Sequence, residues 1–117
     1  MRKATDLARQ LLEADPGDLE EWRIHVFEDD ESAHDDALTE KLYAEFSAEF
    51  ARVQAELAAQ YGAPARTGEE DDDLIPLNGV FRFAIWLVGD RQLFVAAAHE
   101  DRGVPILLML GTADEDA

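Results

Sequence analysis

The chain has 117 residues, 47% of them apolar, and a formal net charge of −17 from 27 acids against 10 bases. That length fits one domain, residues 1–117, with a single core. The absence of cysteine excludes disulfides, thiolate metal sites and cysteine nucleophiles, and so acidic a surface disfavours direct contact with nucleic-acid phosphates, which need a basic footprint.

The N-terminal stretch MRKATDLARQLLEAD has a basic start but no apolar run behind it. It therefore reads as a helix and not as a signal peptide. Ala4, Leu7, Ala8, Leu11 and Leu12 form one apolar stripe at helical spacing. Pro16 and Gly17 in DPGD stop that helix. No stretch reaches the ~20 apolar residues of a membrane span. A cytoplasmic protein is expected.

Residues 21–28 read EWRIHVFE. Trp22, Ile24 and Val26 alternate with Arg23, His25 and Phe27, the period of a strand with one face on the core. FEDDESAHDD at 27–36 then places six acids and one histidine in ten positions. Ser32 stands three residues before Asp35, the spacing of a capping box. The helix it opens is expected over about 34–61. Its stripe is Leu38, Leu42, Phe46, Phe50, Val53, Leu57 and Tyr61, with Lys41–Glu45 and Arg52–Glu56 as surface pairs. Gly62 and Pro64 end it.

Residues 63–73 are polar and unpatterned, and are expected to be a mobile acidic loop. Three strands come next: VFRFAIWLV (80–88), QLFVAAAH (92–99) and VPILLML (104–110). Gly89 suits a two-residue hairpin turn, and Gly103 a turn with a bulge. Phe81, Phe83, Ile85 and Leu87 make one strongly apolar face, expected to meet the long helix. The last strand is apolar on both faces, so cover on both is expected, from the first helix or a second subunit. LIPL (74–77) is a candidate edge strand, confined to the edge by Pro76. Residues 112–117 form a short acidic tail. The fold class implied is α/β (α+β): a two-layer sandwich in the order α-β-α-β-β-β, with one long helix across a mainly antiparallel four-stranded sheet.

Chemistry has little support. His25, His34 and His99 are the only histidines and lack metal-ligand spacing; the acidic run lacks the glycine of a calcium loop. Ser32 and Ser47 lie in no nucleophile motif, and no phosphate-binding glycine loop occurs. No catalytic residue, cofactor or metal ligand is assigned, and no enzyme activity is expected.

Protein binding is the reading left. Eleven of the 27 acids fall in residues 28–36 and 69–73. The candidate partner-binding residues are Glu28, Asp29, Asp30, Glu31, Asp35 and Asp36, with Trp22 and Trp86 as aromatic anchors. The expected function is a small acidic protein-binding domain for a basic protein. In size and charge it is analogous to inhibitors and immunity proteins, though no motif carries that analogy. The alternative is a structural or adaptor subunit, a homodimer, whose acidity reflects a salty cytoplasm.

Overall fold

The structure is a computed structural model and describes residues 3–15, 17–27, 34–101 and 104–114. Its elements are α1 (Ala4–Glu13), β1 (Leu19–His25), α2 (Asp36–Tyr61), β2 (Arg66–Gly68), β3 (Val80–Val88), β4 (Arg91–Ala98) and β5 (Ile106–Asp114). All strands form one antiparallel sheet in the order β1-β5-β4-β3-β2. The fold is thus α+β, with the long helix α2 packed on one antiparallel sheet. Among the described residues no helix is long and apolar enough to cross a membrane.

The expected stripe on α2 is the core-facing one. Leu42, Phe46, Phe50, Val53 and Leu57 are buried, flanked by the partly buried Leu38 and Tyr61. The helix starts later than the capping-box spacing predicts. Asp35, not Ser32, is the N-cap, and its carboxylate accepts from the Leu38 N–H at 3.1 Å. His34 therefore precedes the helix, and Ser32 lies outside the described residues. The expected pairs along α2 give way to other partners, two of them outside the helix. Glu45 reaches Arg23 on β1, Glu56 accepts from the Ala4 N–H that opens α1, and Arg52 pairs with Glu49.

α1 lies on the same sheet face as α2, and its Ala4, Leu7, Ala8 and Leu11 join one core with α2 and the sheet. Arg91, at the start of β4, donates to the Leu12 and Ala14 carbonyls and so satisfies the C-terminal end of α1. The β3–β4 hairpin turns at Gly89, whose φ of 64° is the left-handed conformation that a side chain would disfavour.

Three expectations about the sheet need correction. First, it has five strands. The fifth comes from the segment read as unpatterned loop, where Arg66–Gly68 pairs with β3. The LIPL segment, 74–77, forms no strand; instead Ile75 is buried against the second sheet face and Leu74 and Leu77 pack beside it. Second, the helices meet the other face of β3. Ala84 and Trp86 belong to the helix-side core, whereas Phe83 and Ile85 lie with Phe94 and Ala96 under residues 74–77. Leu87 is 57% exposed. Third, two bulges shift the side-chain phase. One lies between Glu21 and Arg23, the other between Val80 and Arg82. A bulge adds one unpaired residue, so every side chain beyond it changes face. Trp22 and Phe27 therefore both pack on the helix side, while Ile24 and Val26 are 40% and 56% exposed.

The second face of β5 gains no cover from α1. Leu107 and Met109, opposite in phase to the buried Ile106, Leu108 and Leu110, are only partly buried, and Leu107 sits beside Ile24 in the register. β5 runs on to Asp114, so the expected tail from 112 begins as strand. Gly103 and residues 115–117 lie outside the described residues.

Candidate functional site

Antiparallel pairing brings four strand ends together. His25 at the end of β1 is opposite Ile106 at the start of β5, and Ala98 at the end of β4 is opposite both Val80 and Leu107. The N-terminal part of α2 reaches the same end, because Tyr43 meets Phe81 and His99. At its far end α2 leaves beside Trp86. With 26 residues, at a rise of about 1.5 Å each, α2 separates the two ends by about 39 Å.

This end of the sheet gathers acids from segments far apart in sequence. Asp35 and Asp36 stand at the start of α2. Asp71 accepts from the Val80 N–H at 2.8 Å, which holds it at the start of β3. Asp72 accepts from the Leu74 N–H and from Arg66, both at 3.0 Å. Glu100 and Asp101 come directly after the end of β4. Asp35, Asp36, Asp71, Glu100 and Asp101 thus make an acidic pole, whereas Glu69 lies farther along the sheet, beside Gln54, Arg82 and Phe83.

At the pole, aromatic and imidazole rings run in series. His25 meets Phe27 edge-on at 5.0 Å, Phe27 lies 5.7 Å from His99, His99 lies 5.5 Å from Tyr43, and Tyr43 lies 4.9 Å from Phe81. The Tyr43 hydroxyl and His99 Nδ1 are 2.6 Å apart, a short hydrogen bond. Gly79 sets the approach that holds His99. Its carbonyl accepts from the His99 N–H at 2.9 Å, and a Cβ at Gly79 would lie 2.5 Å from the His99 carbonyl oxygen. Burial lowers the His99 pKa below 6.5, opposed by the backbone of Val104 and Asp101 and by the Asp101 carboxylate. The neutral ring is therefore favoured near pH 7. Beside this pair lies a cavity of about 380 Å³ lined by Thr39, Tyr43, His99, Glu100 and Asp101.

The candidate residues from sequence divide. Asp35 and Asp36 lie at the pole; Glu28, Asp29, Asp30 and Glu31 lie outside the described residues. The tryptophans do not flank the acids. Trp86 is 1% exposed and its indole N–H donates to the Gly62 carbonyl at 2.8 Å, at the opposite end of α2. Trp22 is half-buried on β1 and donates to Glu49 at 2.8 Å. Trp86 is a core residue, and Trp22 clamps β1 to α2. Sequence reasoning missed Tyr43 and His99. Tyr43 is off the apolar stripe of α2, and an aromatic residue there was the one available signal. Among the described residues no three histidine or acidic side chains are grouped to hold a metal ion.

Comparison with protein-family models, curated proteins and solved structures gives no match.

Proposed function

We propose that the chain is a non-catalytic protein-binding domain whose acidic pole steers and orients a basic protein. The observation that supports this reading most is convergence: acids from the start of α2, Asp71 beside the start of β3, and Glu100 and Asp101 after β4 stand at one end of the sheet. Like charges held together at one pole make a directed field, which raises the rate of encounter with a positive surface and sets its orientation. The test is association kinetics with the basic partner, identified by cross-linking in native lysate. Asp36, Glu100 and Asp101 changed together to their amides should slow association and flatten its salt dependence. The same change at Glu13, Asp15, Asp18 and Asp90, at the other end, should do little. Equal effects from both sets would reduce the pole to diffuse charge and end the proposal.

One observation favours a second reading, the homodimeric adaptor. Ile24, Val26, Leu107 and Met109 leave part of the second sheet face open to solvent, and apolar surface of this kind is commonly covered by another chain. Sedimentation in molar salt decides it: a dimer that dissociates on Ile24→Ser with Val26→Ser supports the adaptor, and a monomer at all concentrations removes it.

A further inference from the structure

Asn78 is the only asparagine in the chain, and Gly79 follows it. The pair stands on the short link between the packed residues Leu74, Ile75 and Leu77 and the start of β3. Its two members are held differently. Gly79 is fixed: its carbonyl accepts from the His99 N–H at 2.9 Å, and a Cβ on it would lie 2.5 Å from the His99 carbonyl oxygen and 2.6 Å from the Glu100 Cα. Val80 is fixed too, because its N–H donates to Asp71 at 2.8 Å. Asn78 is exposed, and neither its side chain nor the Gly79 N–H makes a hydrogen bond to a described residue. Asparagine before glycine is common in turns that need positive φ at both positions. Here only Gly79 has it, at 72°, and among the described residues no non-glycine does, so the Asn78 amide meets no backbone need.

We propose that Asn78–Gly79 is a self-modification site, at which the exposed amide is lost and a carboxylate appears just before β3. The Gly79 nitrogen, its proton passed to water, attacks the side-chain carbonyl carbon of Asn78. A C–N bond forms, the bond to the amide nitrogen breaks, and ammonia leaves with a proton taken from water, closing a cyclic imide. Glycine favours the closure because no Cβ shields its nitrogen. Water then opens the ring. Attack at the side-chain carbonyl gives aspartate, and attack at the main-chain carbonyl gives isoaspartate, in which the chain runs through the former side chain. Water is consumed, ammonia is released, and nothing is oxidised or reduced. Either product adds a negative charge two residues from the Val80 N–H that Asp71 holds, at the acidic pole. The products differ in the backbone. Aspartate keeps its length, whereas isoaspartate adds a methylene between the packed Leu77 and the clamped Gly79. Gly79 has no room to move toward the 99–100 backbone, so the added length breaks its hydrogen bond with His99. That bond lies next to the Val80–Ala98 pair that begins the β3–β4 ladder. The inference stands independently of the steering function, which the added charge would strengthen.

The test ages the full chain at physiological temperature and mildly alkaline pH, and follows residue 78 by peptide mass mapping and ion exchange. An acidic form should accumulate that carries aspartate and isoaspartate at 78. Its rate should climb with pH, because the deprotonated nitrogen is the nucleophile. N78Q, which would have to close a larger ring, should keep its amide. The native chain should react within about tenfold of the urea-unfolded chain, since an exposed link opens at little free-energy cost. A native amide that survives after the unfolded chain has lost its own would overturn the inference, because the fold would then hold the nitrogen and the carbonyl apart. Equal acidification of N78Q would overturn it as well, by moving the reaction to the glutamines. Hydrogen exchange then separates the two products. The His99 N–H should exchange about tenfold or more faster in the purified isoaspartyl form than in N78D, which carries the charge without the extra methylene. Equal protection in the two would overturn the argument that isoaspartate releases the Gly79–His99 bond.

Discussion

Replacing Phe46 with alanine removes the middle of the apolar stripe that joins α2 to the sheet. The ring is 0% exposed. Truncating a fully buried phenylalanine costs about 3–5 kcal/mol through lost transfer energy and an unfilled cavity. The Arg23 guanidinium lies 4.9 Å above the ring centroid, and its side chain is 39% exposed, so losing that contact adds about 0.5–1 kcal/mol. The sum is about 4–6 kcal/mol. A domain of this length has a total stability of about 6–17 kcal/mol, so the variant should lie near the edge of folding. The unfolding midpoint should drop by about 15–30 °C, and the denaturant midpoint should fall with little change in slope. Phe46→Leu keeps most of the volume and should cost about 1 kcal/mol. Arg23→Met should cost less beside Phe46→Leu than in the wild type, because the ring it stacks on is gone and only its exposed pair with Glu45 is left to lose. Unfolding of Phe46→Ala within about 1 kcal/mol of wild type would refute the packing argument, since no other residue on α2 could then be claimed as central to the core.

Three further outcomes are expected. Stability should climb from low to molar salt, because 17 excess negative charges repel each other and the ion pairs of Arg9, Arg23, Arg52 and Arg66 are mostly exposed and weak; a falling midpoint would show that paired charge dominates. His99 has a folded-state pKa below its unfolded value of 6.5, so the unfolded chain binds the proton more readily. Its contribution should be fully present above pH 6.5 and be lost as pH falls below it; wild-type stability should therefore decline more steeply from pH 7.5 to 5.5 than that of His99→Asn, and parallel curves would contradict this. Trp86→Phe removes part of a fully buried side chain and its bond to the Gly62 carbonyl and should cost about 2 kcal/mol, against about 1 kcal/mol for the half-buried Trp22→Phe. Acrylamide quenching of the two single-tryptophan proteins should find Trp22 accessible and Trp86 protected, and the reverse order would contradict their assigned positions.

Much of the fold can be read along the chain because its signals are local. The stripe on α2 depends on spacing of three and four, the meander on alternation, and the β3–β4 turn on a glycine with positive φ. The charge and its concentration in 28–36 and 69–73 are equally plain from the residues. The choice of face on β3 is not, because both faces are apolar and either could meet a helix. Packing decides it: Trp86 reaches the Gly62 carbonyl and Arg82 lies over the Phe50 ring. The bulges at Trp22 and Phe81 are silent in the side-chain pattern, yet each inverts the phase of the residues beyond it. The edge strand β2 is three residues long and exists by pairing with β3, too little for any periodicity to announce. Tyr43 and His99 are 56 residues apart, and Asp35, Asp71 and Asp101 are as widely scattered. Only the antiparallel order β1-β5-β4-β3-β2, which aligns the end of β1 with the start of β5 and the end of β4 with the start of β3, brings them to one end of the sheet. The sequence by itself determined how much negative charge the protein carries; the tertiary structure decided that Asp35, Asp71 and Asp101 stand at one end of the sheet, because antiparallel pairing aligns the strand ends beside them.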